Sequence, residues 1–232
     1  MIFRFKSFGH RSSKYFLLFL IGIDLAFILV SVLRSHIGFI DNGAMLSVSR
    51  DGSYAEYFQY SKFAAIVVVL CFFAKAQKSA LIAGWSLVFS MLGIDDVIEI
   101  HERLGSKIAN WLSIPPMYNL RSVDYGEMIV YLILGCTAVG ILAFSSRIDK
   151  SSIARQTSKG LLLLVAALAF FGGLVDMLHS ATSQVEVFDS LFGVVEDGGE
   201  MIVVSLMLWF VYYCFMYRAE GTLHMESSSP HD

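Results

Sequence analysis

Hydrophobic positions in this chain come in long runs rather than in alternating or amphipathic patterns. The first, YFLLFLIGIDLAFILVSVL from Tyr15 to Leu33, holds nineteen residues with Asp24 as its one charge. A bilayer core of about 30 Å needs roughly 20 mostly apolar helical residues. Six segments approach or meet that length, at approximately 15–34, 61–77, 79–101, 127–146, 160–181 and 189–217. None alternates with the two-residue period of a membrane strand, so helices are the expected spanning form. The pattern predicts an all-α polytopic bundle of six transmembrane helices. One domain covers 1–217, and a disordered tail covers 218–232. The first run is too long for a signal-peptide core and has no small-residue cleavage site, so it is expected to remain as a span.

Composition narrows the class. The chain is 56% hydrophobic and 16% charged, against about a quarter charged in soluble domains. A net charge of -3 argues against nucleic acid as a partner. Cys71, Cys136 and Cys214 lie inside apolar runs, which gives neither a disulfide framework nor a CxxC metal motif. Basic residues set an orientation. Arg4, Lys6, Arg11, Lys14, Lys75, Lys78, Arg147, Lys150, Arg155, Lys159 and Arg218 put eleven of seventeen on one side. The other six, Lys62 among them, are assigned to longer loops opposite. Because basic loops stay inside, both termini are expected to be cytoplasmic. Asp51–Gly52 reads as a turn, and Trp111, Pro115, Pro116 and Tyr118 as a short interfacial segment.

The charges inside the spans carry the candidate chemistry. With that orientation the third span ends at the outer face with Asp95, Asp96, Glu99, His101 and Glu102. The fifth ends there with Asp176 and His179, and the sixth begins there with Glu196, Asp197 and Glu200. Asp95, Glu99 and Glu102 share a stripe as i, i+4 and i+7, while His101 falls off it unless the helix end loosens. Each carboxylate near mid-membrane costs roughly 2.5–3.5 kcal/mol, so the cluster needs either protons or a cation. Carboxylates with two imidazoles suit a divalent metal ion: manganese, iron, zinc or calcium. Asp95, Glu99, His101, Asp176, His179, Glu196 and Glu200 are the expected ligands. Asp96 and Glu102 are the expected general acid–base residues. The pairs Gly172–Gly173 and Gly198–Gly199 would let helices approach closely there. The plainer alternative, charges solvated among headgroups, suits Glu102 and Arg103 best. It suits Asp95, Asp176, Glu196 and Glu200 least, since these are flanked by apolar residues. Asp24, Glu56 and Glu127 stand alone on their segments and are expected to lie outside the site.

The string LGIDDVIEIHERLG, with RDGSYAEYFQYSKF before it and VVEDGGEMIVVSLML after it, resembles a group of polytopic prokaryotic membrane proteins. That group carries a Leu-Ser-Leu-Asp-Glu stretch, then a His-Glu pair, and later Glu-Glu-Gly-x-Glu in the last span. Asp95, Asp96, His101, Glu102, Glu196, Asp197 and Glu200 are the matching positions, and Asp96 and Asp197 each stand where the group has glutamate. The resemblance covers about half the chain and implies architecture and a prokaryotic cytoplasmic membrane, with no activity attached. HExxH, GxSxG and Walker A strings are absent. Two function classes follow. The first is a metal-dependent hydrolase or transferase acting on a lipid or lipid-linked substrate of the outer leaflet. The second is a cation or proton-coupled transporter, with weak similarity between LVFSMLGID and LAFFGGLVD as a hint of repeats. A haem protein ligated by His101 and His179 is disfavoured by the surrounding acids. An assembly subunit without chemistry is the remaining reading.

Overall fold

The computed structural model describes residues 9–37, 43–182 and 186–226. Arg4, Lys6 and the end of the tail, 227–232, therefore lie outside the described residues. Eight α-helices follow in order: α1 (Gly9–Ile37), α2 (Tyr54–Gln77), α3 (Ala80–Ile98), α4 (Ile100–Trp111), α5 (Ser122–Ile148), α6 (Ser152–Ala169), α7 (Asp176–Thr182) and α8 (Glu186–Glu226). A 3-10 turn, Gly43–Leu46, precedes α2, and a π-helical turn, Phe170–Val175, joins α6 to α7. Among the described residues there is no strand, only an isolated bridge between Met117 and Leu120. Among the described residues, six stretches are long and apolar enough to cross a membrane: Ser12–Leu33, Tyr54–Gln77, Ala80–Ile98, Ser122–Ile148, Ser152–Thr182 and Leu191–Tyr217. The chain is an all-α polytopic bundle. Leu18, Phe72, Leu87, Leu132, Phe144 and Leu163 on these spans stand more than half exposed, as lipid-facing side chains should.

Local chemistry moves two boundaries. The second span starts at Tyr54 and not near residue 61, because Ser53 caps the helix there. The Ser53 hydroxyl accepts from the Glu56 amide at 3.2 Å, and the Glu56 carboxylate turns back to the Gly52 amide. This draws Glu56, Gln59 and Lys62 out of the expected loop and into the membrane-spanning segment. Lys62 is therefore no outer loop residue. It is 1% exposed, and its Nζ donates to Asp24 Oδ1 at 2.9 Å, to the Met201 carbonyl at 2.8 Å and to Ser205 Oγ at 3.1 Å. Asp24, expected to stand alone, is fully buried and also accepts from Ser205 Oγ at 2.5 Å. One ion pair thus pins α1, α2 and α8 together.

The core lies between α2, α3, α6 and α8, with Phe63, Ile66, Leu70, Phe73, Trp85, Phe89, Leu161 and Met207 each at most 5% exposed. Trp85 satisfies its indole N–H on Ser158 Oγ at 2.9 Å, which ties α3 to α6. At the basic end, Lys78 takes a left-handed conformation (φ 50) and Ser79 caps α3. Asp149, buried, closes that end. It accepts from the Ser79 hydroxyl, from the Leu81 amide at 3.1 Å and from the Ser151 amide at 2.7 Å.

Burial works against the Asp149 charge, but these donors outweigh it, and the Asp149 pKa is held below its ordinary 3.8. A depressed carboxylate stabilises the fold above its unfolded pKa and loses that contribution as pH falls through the folded one. Replacing Asp149 with Ala is expected to cost about 1 kcal/mol at neutral pH, as lost caps do. The deficit relative to wild type should shrink as pH drops below about 4, a convergence that unfolding titrations in detergent would read.

The fourth span is set apart. α5 packs closely on α3 and on α4 and at most slightly on α6, α7 and α8. Its crossing with α4 is close: a Cβ on Gly126 would overlap the Gly105 carbonyl group.

An acidic cavity as candidate functional site

A cavity of about 770 Å³ opens between α2, α3, α5, the π-turn and α8. Eleven acidic side chains stand on its wall against two arginines, Arg50 and Arg121, and one histidine, His101. Eight of the nine residues expected in the site line it: Asp95, Asp96, Glu99, His101, Glu102, Asp176, Glu196 and Glu200. His179, the ninth, hydrogen-bonds Glu196 Oε2 through Nδ1 at 2.8 Å. Glu102 and Arg103 are more than half exposed, at 58% and 62%, and sit at the mouth.

The off-stripe position of His101 has a structural answer. α3 ends because Glu99 adopts φ 54, ψ 45, and a new helix begins at Ile100. The Asp95 carboxylate spans the break, accepting from the His101 amide at 3.0 Å and facing ring Nδ1 at 3.1 Å. The break swings His101 back towards Asp95 and stacks it on Tyr131, ring centroids 4.9 Å apart. Glu99 leaves the expected stripe and pairs with Arg103 at 3.3 Å. Burial opposes a charge on His101, yet the Asp95 hydrogen bond and the carboxylates of Asp95, Glu102 and Glu127 raise its pKa above 6.5. Burial lifts Glu102 as well. His101 pulls it down, Glu99 pushes it up again, and the net shift is upward.

Asp176 and Glu196 lie side by side on the wall, and Glu196 also faces His179. Gln59 lies beside both Asp96 and Glu200, so α2 meets α3 and α8 at the cavity. One oxygen is left over: Asp96 Oδ2 is buried with no partner. The glycine pairs act at close approaches. A Cβ on Gly172 would overlap the Glu200 carboxylate, and one on Gly199 would overlap the Phe171 ring. The π-turn is the kind of interruption that recurs at functional sites. Arg121 forks onto Asp124 at 2.9 and 2.7 Å at the start of α5.

Among the described residues, no three His, Cys, Asp or Glu side chains are disposed to hold one metal ion. The carboxylates ring the cavity and do not converge on one point. What the site offers is dense negative charge and two imidazoles, His101 on the wall and His179 beside Glu196, each facing a carboxylate through Nδ1.

The family described as "Domain of unknown function (DUF8692)" matches residues 15–215. The chain belongs to that family. No curated protein and no solved structure matches it. Every residue on the cavity wall falls inside the DUF8692 match.

Among the wall residues that escaped the sequence reading are Glu56, Gln59, Arg121, Glu127 and Tyr131. Glu56 and Glu127 correct the expectation that each stands outside the site. The signal was present in phase. Glu56, Gln59 and Phe63 are spaced i, i+3, i+7, and Glu127, Tyr131, Leu134 and Ala138 are spaced i, i+4, i+7, i+11. Each set forms one helical stripe that turns from polar to apolar along its length.

Proposed function

We propose that the cavity is the active site of a membrane metal-dependent hydrolase or transferase acting on a lipid or lipid-linked substrate. The observation that carries this reading is the wall itself, which is acidic at its mouth and apolar at its floor, where Phe63, Val88, Leu92 and Leu168 take over. An amphiphile would satisfy both halves at once. The neighbouring Asp176 and Glu196 carboxyls, with Asp96 Oδ2 left unpartnered, supply negative charge that a divalent cation would neutralise. Their oxygen-rich chemistry suits manganese, iron, zinc or calcium. A bound ion would polarise the substrate's acyl or phosphoryl oxygen and activate water. Glu196 and Asp95 orient His179 and His101, an outer-shell arrangement common around metal ligands. Glu102, at the mouth, and Asp96 are placed to move protons.

The basic-residue asymmetry puts both termini in the cytoplasm and the cavity mouth at the outer face of a prokaryotic cytoplasmic membrane. A transporter would need a polar route onward. Beyond Lys62, α2 and α8 turn Ile66, Leu70, Phe73, Val204, Met207 and Val211 inward, all buried, which favours chemistry in place over passage.

Elemental analysis tests the metal. Protein purified in detergent is expected to carry about one ion per chain, with affinity reduced at least about tenfold in Asp176→Ala. A metal-free preparation whose melting point metal salts leave unchanged would end the proposal.

A further inference from the structure

The floor of the cavity poses a separate question, because a wide apolar space inside a bundle must be filled. Leu134, Gly135 and Ala138 of α5 line it on one side, and Val165, Leu168 and Ala169 of α6 on the other. These two helices make at most slight contact with each other. A Cβ placed on Gly135, or on Gly173 in the π-turn, would meet nothing within 4 Å. The seam between α5 and the α6–π-turn stretch is therefore loosely packed at the level of the cavity. Beside it Leu132, Ile133 and Val139 are exposed apolar side chains within a membrane span, so the seam faces hydrocarbon and not water.

We infer that this seam is a lateral entrance, and that the apolar floor is a slot for one hydrocarbon chain of a membrane lipid whose polar group rests among the acids above. The interval from Tyr131 to Ala138 on α5 descends about 10 Å at 1.5 Å per residue, enough to bury a substantial stretch of chain. The total volume, about 770 Å³, falls within the range of about 300–1,000 Å³ of small-molecule sites. Water is a poor occupant of a floor made by Phe63, Val88, Leu92 and Leu134. A metal ion alone fills only a fraction of the space. A lipid chain needs no path through the headgroups, since it slides in from the side. The slot deepens the proposed reaction by naming how its substrate arrives, and it rests on that reading only for what happens to the polar group.

Photolabelling tests it on the full chain in vesicles of phosphatidylcholine carrying a mid-chain diazirine. Val88 and Leu92 sit on the inner wall, while Leu87 on the same helix is 61% exposed to the outside. Wild type is expected to be labelled at all three. Ala138→Trp, which fills the floor, is expected to cut labelling at Val88 and Leu92 fivefold or more and leave Leu87 unchanged. Leu168→Trp fills the slot from the opposite wall and serves if the first variant fails to fold. Labelling confined to Leu87 would overturn the slot, as would inner labelling that neither tryptophan reduces. Metal content measured on the same samples separates the two ideas. Inner labelling without metal leaves the slot standing and removes the metal reading. Metal without inner labelling does the reverse.

Discussion

Lys62→Met is expected to destabilise the protein by about 3–5 kcal/mol, the usual cost of stripping one partner from a buried ion pair. The substitution leaves Asp24, fully buried, with Ser205 as its remaining donor in place of the ammonium at 2.9 Å. It also removes the donor to the Met201 carbonyl, at 2.8 Å, where α8 passes the cavity. The double variant Lys62→Met, Asp24→Leu should recover most of the loss, because replacing a whole buried pair by apolar groups is often neutral or stabilising. Denaturant titration of the two variants beside wild type reads both outcomes. A single variant as stable as wild type would mean that no ion pair joins α1, α2 and α8.

This pair also marks how far the sequence can be read. The long apolar runs of the first, fourth and fifth spans announced membrane helices by length alone, and the clustering of acids at one end of the third, fifth and sixth foretold the cavity. Lys62 and Asp24 were illegible because each looks ordinary in its own window. Lysine near the start of an apolar run reads as a snorkelling end residue, and one aspartate in an otherwise apolar helix has no visible partner. Only the Ser53 cap, which extends α2 outward, reveals that Lys62 is deep in the helix. Helix periodicity likewise could not forecast the break at Glu99. A left-handed residue that is not glycine leaves no mark in hydropathy, and its clearest trace was negative, a histidine that refused to share its neighbours' stripe. The acids on α2 and α5 were passed over because each was weighed alone. Their phase with Gln59 and Tyr131 would have placed both on one wall.

Gly126→Val carries the second large effect, through packing and not charge. The Gly126 Cα stands so close to α4 that a Cβ there would overlap the Gly105 carbonyl, Gly105 C and Gly105 Cα. These are backbone atoms, which cannot rotate aside as a side chain would, so α4 and α5 must separate. Overpacking of this kind costs about 1–3 kcal/mol and sometimes more. Gly140→Ala on the same helix is the contrast. Its Cβ would meet nothing within 4 Å, and replacing glycine inside a helix is expected to gain up to about 1 kcal/mol. Opposite signs from two glycine substitutions on α5 would locate the constraint at the α4 crossing and not in the helix as such. The Gly126 variant should reach the site too. Moving α5 withdraws Tyr131 from its stack on His101, now at 4.9 Å between centroids, and carries Glu127 away from the wall. The His101 ring resonances in selectively labelled protein are expected to lose the Tyr131 ring-current shift in Gly126→Val and keep it in Gly140→Ala. Equal stabilities for the two variants, with unchanged histidine resonances, would mean that α4 and α5 do not cross where this structure puts them.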